Sequence, residues 1–153
     1  MGVLKWGPIF GLLVLAGCAN PLTPSISSQY GIPQFSNAVE VMHWVHNYIA
    51  YEVQPTILTP KEILAEKVGD CKDYSILMMA ILNEQFGETP KMIATSGAPF
   101  HAIVLEGSTY YDPTYDRLIT NPVIYGTVGY YSAMVQAEAH ATDILVSTIG
   151  AKS

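Results

Sequence analysis

The chain contains no lysine- or arginine-rich stripe. Its 7 basic residues face 13 acidic ones, for a formal charge of −6, and without a basic patch to neutralise phosphates nucleic acid is not an expected partner. It has no internal repeat and no C-x-x-C or H-E-x-x-H spacing, so no metal centre is indicated. Pro and Gly are scattered rather than concentrated, and half of the residues are apolar, which reads as globular rather than disordered. The apolar run from Trp6 to Gly17 is too short to span a bilayer as a helix. Cysteine is scarce as well, with only Cys18 and Cys71 in 153 residues. That length has room for one domain with a usable core.

The N-terminal run suits the core of a signal peptide, with Lys5 as its early cation. Myristoylation at Gly2 is not expected, because Trp6 stands where that motif wants Ser or Thr. The stretch "LAGC", Leu15 to Cys18, resembles the lipobox of bacterial lipoproteins. The resemblance implies cleavage before Cys18 and diacylglycerol on its sulfur. It also implies an envelope location, at the outer membrane facing the periplasm in a Gram-negative host, since Ala19 and not Asp follows the cysteine. An ordinary signal peptide, or an uncleaved anchor, is the other reading of the segment. Residues 1–17 are thus expected as a lipoprotein signal peptide. Residues 18–35, aperiodic and rich in Pro and Ser from Asn20 to Pro33, are expected as a lipidated tether. Residues 36–153 are expected as the domain.

Within the domain a first helix is predicted from Asn37, with Glu40 at the capping-box position. Ala38, Val41, Met42, Val45, Tyr48 and Ile49 fall on one of its faces. "TPKE" predicts a short second helix, capped by Thr59, with Pro60 in the first turn and Glu62 in the box. A third helix has Asp70 as N-cap, Asp73 three residues on and Gly87 as C-cap. It is apolar on nearly every side and should be the central, buried helix. From Pro90 onward, "KMIATS", "HAIVLE" and "TYYD" read as strands of an antiparallel sheet, and the tail from about Tyr130 to Thr148 as helix. Helices followed by strands make an α+β domain.

If lipid consumes Cys18, Cys71 is a lone thiol in an oxidising compartment. It is either an inert core cysteine or a nucleophile. Its place in the first turn of the buried helix favours the thiolate through the unpaired N–H groups and the helix dipole. Its own N–H also points toward a developing oxyanion. With Gly107-Ser108 as a two-residue type II′ turn, Glu106 pairs with Thr109 and Ile103 lies opposite Asp112. His101 and Asp112 are then diagonal neighbours on one sheet face, about 7–8 Å apart at the backbone. A nucleophile (Cys71), a base (His101) and a carboxylate to orient the base (Asp112) are the parts of an acyl-transfer site. Gln54 or Tyr51 is the candidate second oxyanion donor. Asp116 reads as a solvated turn residue. His43 and His46 form an i, i+3 pair on the polar side of the first helix, but no metal is expected there. The tyrosine pairs Tyr110-Tyr111 and Tyr130-Tyr131 read as sheet packing.

"GDCKDYSILMMAIL", "HAIVLEG" and "YYDPTYD", together with "TPKEIL" and "NYIAY", resemble the transglutaminase-like superfamily from about Ser36 to Asp116. The branch they resemble most is that of the bacterial transglutaminase-like cysteine peptidases. The resemblance implies a papain-like core with a Cys-His-Asp triad at Cys71, His101 and Asp112. It implies a protein or peptide substrate in the cell envelope and hydrolysis through an acyl-enzyme. Two departures stand out. Ile103 replaces the Trp that many members carry two residues after the His. Lys72 replaces an acidic residue that periplasmic relatives often carry, sometimes implicated in calcium binding. No cofactor is expected, and Lys72 speaks against calcium; the lysine is instead expected beside the thiolate. The rival readings are a protein-crosslinking acyltransferase of the same fold and a non-catalytic envelope lipoprotein that binds a partner protein.

Overall fold

The computed structural model describes residues 24–95 and 101–139. Residues 1–17, expected as a signal peptide, the lipidation candidate Cys18 and the tail beyond residue 139 lie outside the described residues. Among the described residues, no helix is long and apolar enough to cross a membrane.

The elements in chain order are α1 (Ile26–Tyr30), α2 (Ala38–Tyr48), β1 (Ala50–Tyr51), α3 (Pro60–Glu66), β2 (Val68–Gly69) and α4 (Cys71–Phe86). They continue with β3 (Lys91–Thr95), β4 (His101–Glu106), β5 (Thr109–Asp112), β6 (Arg117–Ile119) and β7 (Ile124–Gly129). Residues 130–139 are helical. The expected caps are in place. Asn37 accepts from the Glu40 N–H at 3.1 Å, Thr59 and Glu62 close a capping box behind Pro60, and Gly87 ends α4 in the left-handed conformation at φ 70°. Ser27 to Phe35 are not a free tether: Glu84 and Gln85, at the end of α4, hold them. The Ser27 N–H donates to Glu84 at 3.1 Å, the Phe35 N–H to Gln85 at 3.1 Å, and Gln85 donates to the Pro33 carbonyl at 3.0 Å. Ile32 is buried in the core. The composition of this stretch is that of a linker, but Ile32, with Tyr30 and Phe35 packed against the core, and a few hydrogen bonds anchor it.

Helix α4 is the centre of the molecule, as a helix apolar all round must be. Every residue from Asp73 to Leu82 on it is buried. Its partners are Val41, Met42 and Val45 of α2, Ile63 and Leu64 of α3, and Met92, Val104 and Tyr111 of the sheet. The main sheet is antiparallel, in the order β6-β5-β4-β3-β7. The hairpin has the expected register, Glu106 opposite Thr109. Gly107 has φ 57° while Ser108 does not enter the positive region, as a type II′ turn requires. Helix α1 and strands β1, β2, β6 and β7 are not among the elements the sequence predicts. β7, broken by two glycines, pairs with β3 at the edge, and a two-residue parallel ladder joins β1 to β2.

Candidate active site

The short β1–β2 ladder brings Tyr51 beside Gly69, directly ahead of Asp70 and Cys71. Gly69 has to be glycine, since a Cβ there would lie 2.8 Å from the Cβ of Asp73. Each polar side chain of "GDCKDY" then holds segment 49–58. Asp73, fully buried, accepts the Leu58 N–H and the Asp70 N–H, each at 3.0 Å. Asp70 accepts the Lys72 N–H at 3.1 Å and the Gln54 N–H at 3.2 Å. The Tyr74 hydroxyl donates to the Ile49 carbonyl. Burial pushes the Asp73 carboxyl up to about 6, against the pull of the Leu58 and Asp70 N–H groups and of Lys72.

Lys72 does not turn to the sulfur. Its ammonium is paired with Asp70, donates to the Gln54 carbonyl at 3.0 Å and lies 3.8 Å from Asp73. Two carboxylates and a carbonyl outbid a single thiolate for it. Gln54 is correspondingly held by its backbone and does not line the cavity at Cys71, whereas Tyr51 does. Burial, then the charges of Cys71 and Asp70, hold the Tyr51 phenol above its usual range. It therefore stays protonated and able to donate.

Cys71 is half-buried at the first position of α4, and its backbone N–H has no partner among the described residues. His101 stands at the first position of β4 and Asp112 at the last of β5. The two side chains share a face, as the hairpin parity demands, and His101 Nε2 lies 2.8 Å from Asp112 Oδ1. With Nε2 engaged, Nδ1 is the ring nitrogen left for the thiol. Burial pushes the thiol up, but a hydrogen bond from His101, the Ala102 N–H and the His101 charge together bring it below its ordinary value, against Asp70. The Asp112 bond first, then the Cys71 bond, raise His101 to about 9 in spite of its burial. The arrangement favours a thiolate beside an imidazolium.

Asp112 is fully buried and fully bonded. Besides His101 it accepts the Tyr115 N–H at 3.3 Å and Arg117 Nε at 3.3 Å. The turn from Pro113 to Asp116 that presents Tyr115 is gripped from α2. His43 pairs with Asp116, which is therefore not simply solvated, and the His46 ring meets the Thr114 carbonyl at 3.1 Å. The two histidines face this turn rather than Cys71. Of the tyrosine pairs, Tyr111 packs in the core, while Tyr131 is exposed. Sequence reasoning passed over Tyr115 and Arg117. The Tyr115 ring lies 5.2 Å from the His101 ring, and Arg117 stacks over Tyr115 at 5.0 Å. The sequence signal was the strand resuming after "DPTYD", which places Arg117 opposite Asp112 across β5–β6.

A cavity of about 360 Å³ opens on the thiol, lined by Tyr51, Thr95, Tyr115, Arg117, Ile119 and Val123. A larger, mainly apolar groove of about 760 Å³ runs between α3, α4 and the helical residues 130–139, with no cysteine or histidine in its lining among the described residues. The chemistry belongs to the smaller cavity.

A family model for the transglutaminase-like domain matches residues 25–105, which takes in Cys71 and His101 and ends before Asp112. No curated protein gives a significant match. Among solved structures, a candidate cysteine protease from Cytophaga hutchinsonii is 20% identical over 59% of this chain and 35% of its own, with a TM-score of 0.47. LapG from Legionella pneumophila is 15% identical over 59% of this chain and 62% of its own, with a TM-score of 0.49. The chain thus spans about a third of the first structure's length and about three-fifths of the second's. The family match runs over more than half of the sequence and contains α4 with its N-terminal cysteine. The chain belongs to the transglutaminase-like domain family.

Proposed function

We propose that the protein is a cysteine hydrolase, a peptidase or amidase of the cell envelope, acting through Cys71, His101 and Asp112. The Cys71 thiolate attacks the acyl carbon, and the charge that develops on oxygen is met by the Cys71 N–H and the Tyr51 hydroxyl. As the C–N bond breaks, the imidazolium of His101 gives its proton to the leaving amine. Water then attacks the thioester, His101 takes its proton, and the C–S bond breaks to release the acid and restore the thiol. Asp112 keeps the ring oriented and its positive form favoured throughout. The observation that carries this reading is the His101 ring, bonded at 2.8 Å to a fully buried carboxylate and facing the half-buried thiol.

The test is alkylation of Cys71 by iodoacetamide, followed by peptide mass spectrometry. Wild type is expected to react readily at pH 6.5, and His101→Ala about 10- to 100-fold more slowly, because without the imidazolium only a small fraction of an ordinary thiol is ionised at that pH. Equal rates in the two proteins would remove the triad. Where hydrolysis is followed instead, its alkaline limb is expected near pH 9, where His101 loses the proton it must donate.

Attachment to the membrane through lipid on Cys18 is part of the same proposal. Cys18→Ser is expected to release the chain from the membrane fraction, and retention of the variant there would refute lipidation at that residue.

A further inference from the structure

The cavity at Cys71 has an uneven electrostatic lining. Among the described residues, no aspartate or glutamate lines it, and the one permanently charged side chain in its lining is Arg117. That is unexpected in a chain whose net charge is −6, where an acidic wall would be the default. Asp112 is fully buried behind His101 and Arg117, and Asp70, beside Cys71, is paired with Lys72.

Arg117 is held in one pose. Register sets it directly opposite Asp112 across β5–β6, its Nε bonds Asp112 Oδ2 at 3.3 Å, and its guanidinium carbon lies 5.0 Å from the centre of the Tyr115 ring. One nitrogen is engaged in this way. The two terminal nitrogens have no partner among the described residues, and the side chain is 60% exposed. A guanidinium fixed by one edge and stacked on an aromatic face is pre-organised to take a carboxylate in a two-pronged bond with its other edge. Around it, Tyr115, Val123 and Tyr51 are 62%, 69% and 57% exposed. These large apolar side chains, gathered at one cavity mouth, suit a peptide more than a small polar ligand.

The direction of the substrate follows from the chemistry. The candidate oxyanion donors are the Tyr51 hydroxyl and the Cys71 N–H at the start of α4, and the leaving amine must face His101 to collect its proton. Tyr115 and Arg117 flank His101. We infer that Arg117 is a specificity-determining residue that binds a carboxylate on the leaving-group side of the scissile bond, so that the substrate is a peptide with an acidic residue immediately following the bond cleaved. This inference rests on the cysteine-hydrolase reading above.

The leaving-group side can be probed without knowing the substrate, because a second amine entering the acyl-enzyme occupies the position that the first one left. The detergent-solubilised full chain is acylated with p-nitrophenyl acetate, Cys71 displacing p-nitrophenolate to form an acetyl thioester, which mass spectrometry detects. The thioester is then partitioned between water and one of two dipeptide amides, Glu-Ala-NH2 or Gln-Ala-NH2. In each capture the amine nitrogen forms the new C–N bond, the C–S bond breaks, and His101 takes the amine proton. Wild type is expected to transfer acetyl to the Glu peptide about tenfold better than to the Gln peptide, the worth of a charge-assisted bond in a partly wet site. Arg117→Gln is expected to erase that ratio, and Arg117→Lys to retain part of it. Any loosening of Asp112 in the variants slows water and both amines alike and cancels in the ratio. A thioester that forms but does not discriminate, that discriminates equally in Arg117→Gln, or that only water cleaves overturns the acidic-substrate inference while leaving the hydrolase reading intact. Failure of Cys71 to form the thioester at all overturns the hydrolase reading and this inference with it.

Discussion

Asp112→Asn is expected to slow the acylation of Cys71 by p-nitrophenyl acetate at neutral pH by about 10²- to 10⁴-fold while leaving the sheet folded, the range in which an orienting carboxylate or a general acid-base group acts in such sites. The bond to Asp112 is the largest influence raising His101 to about 9. Without that charge the ring sheds its proton near neutrality, and the hydrogen bond and charge that hold the thiol down weaken with it. The amide also cannot satisfy its surroundings. His101 Nε2, the Tyr115 N–H and Arg117 Nε all present to Asp112, and an asparagine has one acceptor for a site that uses two. Ultraviolet absorbance of the thiolate against pH checks the cause, because the Cys71 titration should move upward in the variant. A thiolate titration that stays where it is in wild type would show that Asp112 has no hold on the pair.

The second large effect is on stability. Asp73→Ala is expected to destabilise the fold by about 3–5 kcal/mol, read as a lower urea midpoint. The carboxylate is fully buried and accepts two backbone N–H groups, from Leu58 and Asp70, at 3.0 Å each. Leaving a buried donor unmade costs about 1–3 kcal/mol apiece, and Lys72 loses one of its balancing charges. The consequence extends to the site, since Asp73 and Asp70 together fix segment 49–58 and so the position of Tyr51. Asp73→Asn, which keeps one acceptor, should recover part of the loss. A variant Asp73→Ala with wild-type stability would mean that water or Lys72 replaces the carboxylate at both N–H groups.

Much of this was legible in the residues. Caps are local chemistry, so Thr59, Asp70 and Gly87 marked their helix ends at the sequence level. The side-chain period of a strand is two, so one choice of turn at Gly107-Ser108 was enough to put His101 and Asp112 on one face. What could not be read were arrangements that depend on distant chain. Lys72 follows the nucleophile by one residue, yet its ammonium serves Asp70 and the Gln54 carbonyl, because segment 49–58 folds back over the start of α4. Ser27 to Phe35 look like linker and are anchored by Glu84 and Gln85, 57 residues away in the Ser27–Glu84 pair and 50 in the Phe35–Gln85 pair. His43 and His46 have metal-like spacing on a helix, but the turn that follows Asp112 arrives to occupy both rings.

The sequence by itself determined the three main helices and the β4–β5 hairpin, the helix that had to be buried, and the nomination of Cys71, His101 and Asp112 as one candidate site, because each rests on contacts within a few residues or on strand parity. Tertiary structure alone decided the rest: that Tyr51 and not Gln54 lines the cavity, that the Lys72 charge is spent on carboxylates, and that Arg117 stands over Tyr115 beside the site. Those outcomes are competitions between partners brought together from separate segments, and the winner is set by distance and burial, which no local pattern of residues encodes.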